Sequence, residues 1–324
     1  MGAYVIRRCL AGIVAILMTV MLVFFLLRIL PGDVAYQMLL RPWEGAAGFG
    51  SGIDPTALDT LRKELGLDKP LHVQFVEFVW NTARGDFGKS LYSGNSVWTE
   101  IRARLPMTLQ IALTAQFIAI SLGIPIGIIT AIKQDSWPDY LLRVWTIFFL
   151  AIPGFWIGIM ILLGGLMFFE WSPPVGRNVL WESPLDSFRQ TIWPALVLAS
   201  HSTAILARYT RSSMLEVLRE DYIRTARAKG LKEQVVVVRH AMRNALIPVV
   251  TVIGLSFGTL VAGTVILERV FTIPGVGNLF LNSITTRDYP VVQAIVFLVA
   301  CTFVVTNIVV DFLYGWLDPR ISLA

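Results

Sequence analysis

The sequence predicts an all-α integral membrane protein of six spanning helices with both termini on the cytoplasmic side. Three observations carry that expectation. Only 15% of the 324 residues are charged while 55% are hydrophobic, against roughly 25% charged in soluble domains, which leaves too few polar groups to clothe a soluble surface of this size. Six apolar stretches reach the roughly 20 residues that a bilayer-crossing helix needs. Lys and Arg gather in alternate connections, the bias that sets membrane orientation.

The first span is Cys9–Leu30, preceded by Arg7 and Arg8. It is too long for a secretory leader, and Pro31-Gly32-Asp33 stands where a small-residue cleavage site belongs, so an uncleaved helix is expected. An outer segment, 31–104, follows with helices of its own. Asp54-Pro55 reads as an N-cap with proline at the first helical position, and Gly66 closes that helix. Leu71–Arg84 carries Val73, Phe75, Val76, Phe78, Val79 and Trp80 up to Gly85. That run suits a helix packed on the outer face of the spans, or a docking surface for an external partner.

The second and third spans are Thr108–Ile132 and Leu141–Phe169, with Lys133 and Arg143 flanking their short connection and Pro153 predicting a kink. The fourth, Thr191–Tyr209, is the least apolar because Ser200, His201, Ser202 and Thr203 interrupt it. The fifth and sixth are Ala245–Leu267 and Val291–Trp316. Nine cations between Arg208 and Arg243 crowd the connection from fourth to fifth span, and Arg320 follows the sixth. The short opposite connections hold only Arg177, Arg189, Arg269 and Arg287. The expected divisions are therefore 1–30, 31–104, a core of 105–316 containing the cytoplasmic loop 210–245, and a tail of 317–324.

Composition also excludes functions. The net charge of +5 comes from cations beside apolar spans, where topology already explains them, so no nucleic-acid partner is expected. Cys9 and Cys301 sit in separate apolar runs with no disulfide or metal spacing. His72, His201 and His240 are scattered over an outer helix, a span and the loop, so neither a metal site nor a general-base cluster forms and no catalytic residue is expected. Gly88-Lys89-Ser90 looks like the end of a phosphate-binding loop, but that motif needs glycine where Ala83 stands. We read it as a decoy.

Inside the spans, His201 is either a hydrogen-bonded packing residue or one facing a water-filled path. Gly254, Gly258 and Gly263 recur in the fifth span among Ser256, Thr259 and Thr264. Small residues let helices approach closely. The same helix, through Ser256 and Thr259, could instead line a passage for a polar solute.

The loop between the fourth and fifth spans carries the strongest signal. Met214, Leu215, Leu218, Tyr222 and Ala226 fit one helical face while Arg219, Arg224 and Arg227 project elsewhere. Gly230 stops the helix, and Val235–Val238 form a second apolar run before Pro248 enters the next span. A short amphipathic helix lying along the membrane surface suits a socket in a soluble partner, because it transmits a rigid push to the spans on either side.

That stretch, DYIRTARAKGL followed by RHAMRNALIPVVT, resembles the coupling loop of binding-protein-dependent ABC importer permeases of the dipeptide, oligopeptide and nickel branch. The likeness extends through RILPGD, LGLDKPLHVQF, RGDFGKSL, IPGFWIGI, ARYTRSSMLEVLRED, ERVFTIPGVGNLF, RDYPVVQA and DFLYGWLDPR. It is nearest to the B-type permease, whose long outer loop matches Pro31–Arg104. The general coupling motif has Glu-Ala-Ala, three residues, Gly, nine residues, then Ile-x-Leu-Pro. Aligned on Gly230, this chain has Arg224-Thr225-Ala226 and His240-Ala241-Met242-Arg243, a departure that the peptide branch shares.

The resemblance implies a type I ABC importer permease fold in a bacterial-type plasma (inner) membrane. It implies that Tyr222, Arg224, Thr225, Ala226, Arg227, Ala228, Lys229 and Gly230 couple to an ATPase cleft. The implied partners are a homologous second permease, two ATPase subunits and an external solute-binding protein. No cofactor belongs to this chain; ATP and Mg sit on the ATPases. Peptides are the expected cargo, with nickel chelates, glutathione, opines or short oligosaccharides as alternatives. A self-sufficient secondary transporter would show buried ion-coupling carboxylates or related halves, whereas Glu170, Glu268 and Asp311 lie towards span ends. A membrane-embedded enzyme lacks its catalytic cluster.

Overall fold

A computed structural model of the chain describes residues 2–29, 35–36, 55–64 and 66–317. Their regular structure is helical: α1 (Gly2–Ile29), α2 (Pro55–Glu64), α3 (Leu71–Ala83), α4 (Val97–Ile132), α5 (Trp137–Ala151), α6 (Gly154–Phe169), α7 (Pro184–Val217), α8 (Asp221–Ala228), α9 (Glu233–Val270), α10 (Val276–Thr285) and α11 (Tyr289–Leu317). Pro31-Gly32-Asp33, the expected Asp54 cap and the tail beyond Leu317 lie outside the described residues. Gly66 does close α2, at φ 65°. There Leu67 N–H reaches Arg62 O at 2.8 Å and Gly66 N–H reaches Lys63 O at 3.0 Å, the paired bonds of a Schellman stop.

Among the described residues, α1, α4, α9 and α11 contain stretches long and apolar enough to cross a bilayer, and α5 with α6 adds a fifth as one bent span. The expected third span is thus not a kinked rod but two helices meeting at 96°. Pro153 explains the break. Its ring forces Ile152 into extended backbone, φ −91° and ψ 129°, and it has no N–H to continue the ladder.

The expected fourth span falls within α7, whose 34 residues suffice in length but fall short in apolarity. Its polar groups are turned inward. Ser187 and Thr191 are buried; Ser187 Oγ donates to Gln110 Oε1 of α4 at 2.8 Å, and Gln110 Nε2 donates to Thr191 Oγ1 at 3.0 Å. Six crossings therefore require α7 to span with its polar face held against protein, the arrangement that intramembrane polar groups adopt.

The chain divides into two compact units, one comprising Met1–Ala11, Arg104–Asn278 and Cys301–Ala324, the other Gly12–Ala103 and Leu279–Ala300. In the first, Met107, Ile111 and Ala115 of α4 pack with Ala195 and Ala199 of α7 and Leu260 and Leu267 of α9. Arg8 is ion-paired with Asp311 at 3.1 Å. The glycines of α9 serve close packing: a Cβ on Gly254 would lie 1.8 Å from Val310 and one on Gly258 2.4 Å from the Phe303 ring. We expect Gly258→Leu to force α9 from α11 and to lower stability by about 1–3 kcal/mol or more, read as a lower melting temperature of the detergent-solubilised protein; an unchanged melt would refute the packing role.

In the second unit, Phe24 of α1 sits 5.4 Å from Phe75 and 6.0 Å from Phe78 of α3, ring centre to centre. The packing face of α3 is therefore Phe75 and Phe78, while Val76 and Trp80 are exposed.

Candidate functional site

α7 ends at Val217, and a turn over Leu218–Glu220 separates it from α8. That turn resets the helical phase. The face expected to join Met214, Leu215, Leu218, Tyr222 and Ala226 is not continuous: Ile223 and Ala226 are the buried residues of α8, whereas Tyr222 is 41% exposed and its hydroxyl accepts a hydrogen bond from Asn244 Nδ2 at 2.8 Å. Ile223 and Ala226 pack into a cluster with Met214, Val236, Val237 and Ala245. So α8 is pinned between the end of α7 and the start of α9.

Seven of the eight coupling candidates, Tyr222, Arg224, Thr225, Arg227, Ala228, Lys229 and Gly230, are exposed, and Ala226 is buried as the anchor. The exposed side is ordered by its own bonds. Arg224 pairs with Asp221 at 3.1 Å. Arg227 forks onto Glu233, Nε at 3.1 Å and Nη2 at 2.7 Å, and this hydrogen bonding raises its already high pKa further. Gly230 adopts φ 78°; its N–H reaches Arg227 O at 2.9 Å and Leu231 N–H reaches Ala226 O at 3.4 Å. The helix is thus closed by the same Schellman arrangement as α2. The apolar run expected at Val235–Val238 is partly π-helical, over Val236–Ala241, with Val236 and Val237 buried and Val235 and Val238 exposed. Such wide turns occur preferentially at functional sites.

His201, Ser256 and Thr259 line one cleft of about 750 Å³ between α6, α7 and α9, together with Pro153, Ser202 and Tyr209. His201 and Thr259 are exposed. Ser256 is buried, and its hydroxyl is placed against Gln116 Oε1 at 3.1 Å and Ile253 O at 2.8 Å. Thr259 Oγ1 donates to Ser256 O at 2.7 Å. Sequence reasoning missed Gln116, which is buried behind the cleft's Ser256 as its hydrogen-bond partner, 140 residues away.

Two further carboxylates are held by built surroundings. Glu268, fully buried, accepts from Thr108 Oγ1 at 2.7 Å and from Asn278 N–H at 3.0 Å. Asp288 is gripped by Ser90 Oγ, by Leu91 N–H at 3.0 Å and by Tyr92 N–H at 3.3 Å. Ser90 of the Gly88-Lys89-Ser90 run thus holds the chain's own aspartate. Among the described residues no cluster of His, Cys, Asp or Glu could hold a metal ion.

Residues 123–323 match the family described as binding-protein-dependent transport system inner membrane component, and residues 1–112 match that system's N-terminal membrane component. The glutathione transport system permease protein GsiC of Salmonella paratyphi A is 39% identical over 318 residues, 98% of each chain. GsiC of Escherichia coli strain K12 is equally similar, at 39% and 98%. A chain of the MetNI methionine ABC transporter, in an inward-facing conformation, superimposes on 65% of this chain and 93% of its own with a TM-score of 0.52 at 15% identity, which shows a shared fold. The protein is thus a multi-pass inner-membrane transport component and not an enzyme. By matches that cover nearly its whole length, the chain belongs to the binding-protein-dependent ABC importer permeases, in their dipeptide and oligopeptide branch.

Proposed function

We propose that this permease forms half of the path by which short peptides, glutathione among them, enter the cell, driven by two ATPase subunits that grip α8. The observation that carries the coupling role is the construction of α8: one side buried on Met214 and Val236, the other presenting Arg224, Thr225, Lys229 and Gly230. A rigid helix fixed to two spans hands a displacement to both. In this reading both termini and α8 face the cytoplasm, in keeping with the cations from Arg208 to Arg243. A homologous second permease completes the path, and an external binding protein delivers the solute. ATP and the loaded binding protein each favour one of two conformers.

The His201–Ser256–Thr259 cleft is the segment of the path contributed by this chain. The imidazole and the Thr259 hydroxyl offer polar contacts on a largely apolar wall, enough to replace part of a solute's hydration without holding it. The full-length identity to GsiC favours a glutathione-like tripeptide over nickel chelates, opines or oligosaccharides.

The test is uptake by vesicles containing this chain, its partner permease and both ATPases, with the binding protein outside and ATP inside. Labelled glutathione and dipeptides should accumulate only with ATP. Uptake by this chain alone would replace the proposal with a secondary transporter. ATP-driven uptake of a nickel chelate but of no peptide would keep the machine and change its cargo.

A further inference from the structure

A second cleft, of about 790 Å³, opens between α4, α5 and α7. Its wall is graded. Ile126 of α4, Leu150 of α5 and Ala207 of α7 form one end, with Arg208 one residue past Ala207, and Arg143, Arg211 and Arg219 form the other. On α5 the change from Leu150 to Arg143 takes about 10 Å of helix, and on α7 Ala207 and Arg211 lie about 6 Å apart, with Arg219 in the turn that follows α7. The cationic end is the one next to α8, since α7 runs from Ala207 towards it.

Four guanidiniums, those of Arg143, Arg208, Arg211 and Arg219, line this cleft against one carboxylate, Glu216. Behind the wall, fully buried Asp139 accepts a fork from Arg211 at 3.2 and 3.1 Å and is ion-paired with Arg143 at 3.2 Å. Asp139 thereby fixes two of the guanidiniums in place. Arg143 is also ion-paired with Asp135 at 3.8 Å and lies over the Tyr140 ring at 4.7 Å. On α5 the cleft opens onto exposed apolar surface at Ile147, which is 64% exposed.

A ligand matching this gradient is an amphiphile with an anionic head. We propose that the cleft binds the phosphate head of an anionic phospholipid from the leaflet on the α8 side, with its acyl chains leaving past Ile126 and Leu150. Basic pockets between spanning helices suit such heads. A free anion would leave the apolar end empty, and a protein carboxylate would not extend along it. The proposal needs only the membrane placement, not the cargo or the coupling role of α8.

The test is native mass spectrometry of the full-length chain purified in mild detergent and supplied with phosphatidylglycerol, cardiolipin or phosphatidylethanolamine. The wild type should retain the two anionic lipids and not the zwitterionic one. Arg208→Gln with Arg219→Gln should weaken retention about thirtyfold, from the worth of two interfacial cations. Arg208→Lys with Arg219→Lys should restore it, which separates charge from misfolding. Arg177→Gln with Arg189→Gln, away from the cleft, should change nothing. Equal retention in the glutamine and wild-type proteins would overturn the proposal, as would equal retention of phosphatidylethanolamine. Displacement of the lipid by inorganic phosphate would make this a free-anion site, and its loss on adding the ATPase subunits would assign the cleft to a partner protein; either result also overturns it.

Discussion

Gly230→Val should abolish most ATP-driven uptake while the protein still inserts in the membrane. The cause is backbone, not bulk. Gly230 sits at φ 78°, and a Cβ built there meets no atom within 4 Å. The left-handed conformation costs a residue with a Cβ about 1–2 kcal/mol, and for a β-branched side chain it is a true outlier. Valine therefore opens the Schellman bonds to Arg227 and Ala226 and turns Lys229 away from its present direction. Since each 1.4 kcal/mol is a factor of ten in an equilibrium, docking to the ATPase should fall by about tenfold or more. Asparagine, which tolerates this conformation, should keep uptake near wild type. Vesicle uptake and ATPase co-purification measure both effects. Undiminished uptake by the valine variant would remove Gly230 from the coupling site.

Glu268→Ala should cost about 2–6 kcal/mol of stability, because two donors to its buried carboxylate lose their acceptor at about 1–3 kcal/mol each. Those donors are Thr108 Oγ1 and Asn278 N–H, one on each carboxylate oxygen. Thr108 Oγ1 itself accepts from Val276 N–H at 2.8 Å, so the loss spreads through α4, α9 and the start of α10. The loop wraps Glu268 closely, for a Cβ on Gly275 would come 2.3 Å from the carboxyl carbon. Glu268→Gln keeps one acceptor oxygen and should lose about half as much. Thermal unfolding in detergent ranks the three proteins. Should the alanine variant melt with the wild type, the network is decoration.

Sequence and structure agree where one residue imposes its own geometry. Pro153 marks a break because its ring acts on Ile152 alone, and Gly66 and Gly230 mark helix ends because their positive φ is local. The spans are readable for the same reason: apolarity accumulates residue by residue. The sequence is silent where a residue's state depends on a distant partner. Gln116 meets Ser256, Gln110 meets Ser187, and Glu268 meets Thr108, each across long stretches of chain. Hydropathy scores these groups as polar and so shortens α7 to Thr191–Tyr209, although their hydrogen bonds allow the helix to run from Pro184 to Val217. The misplaced face of α8 has another origin. A periodicity carried unbroken through Leu218–Glu220 puts Tyr222 where Ile223 belongs, and the turn that shifts the register has no glycine or proline to announce it.

α9 runs unbroken for 38 residues from Glu233, about 57 Å of rod, and its first turns are pinned to α8 through Val236 and Val237. A lever of that length multiplies small angles. Tilting it by about ten degrees around its midpoint sweeps each tip through about 5 Å, roughly the width of a peptide backbone, so a modest rotation at the tip beside α8 is a gate-sized stroke at the far one.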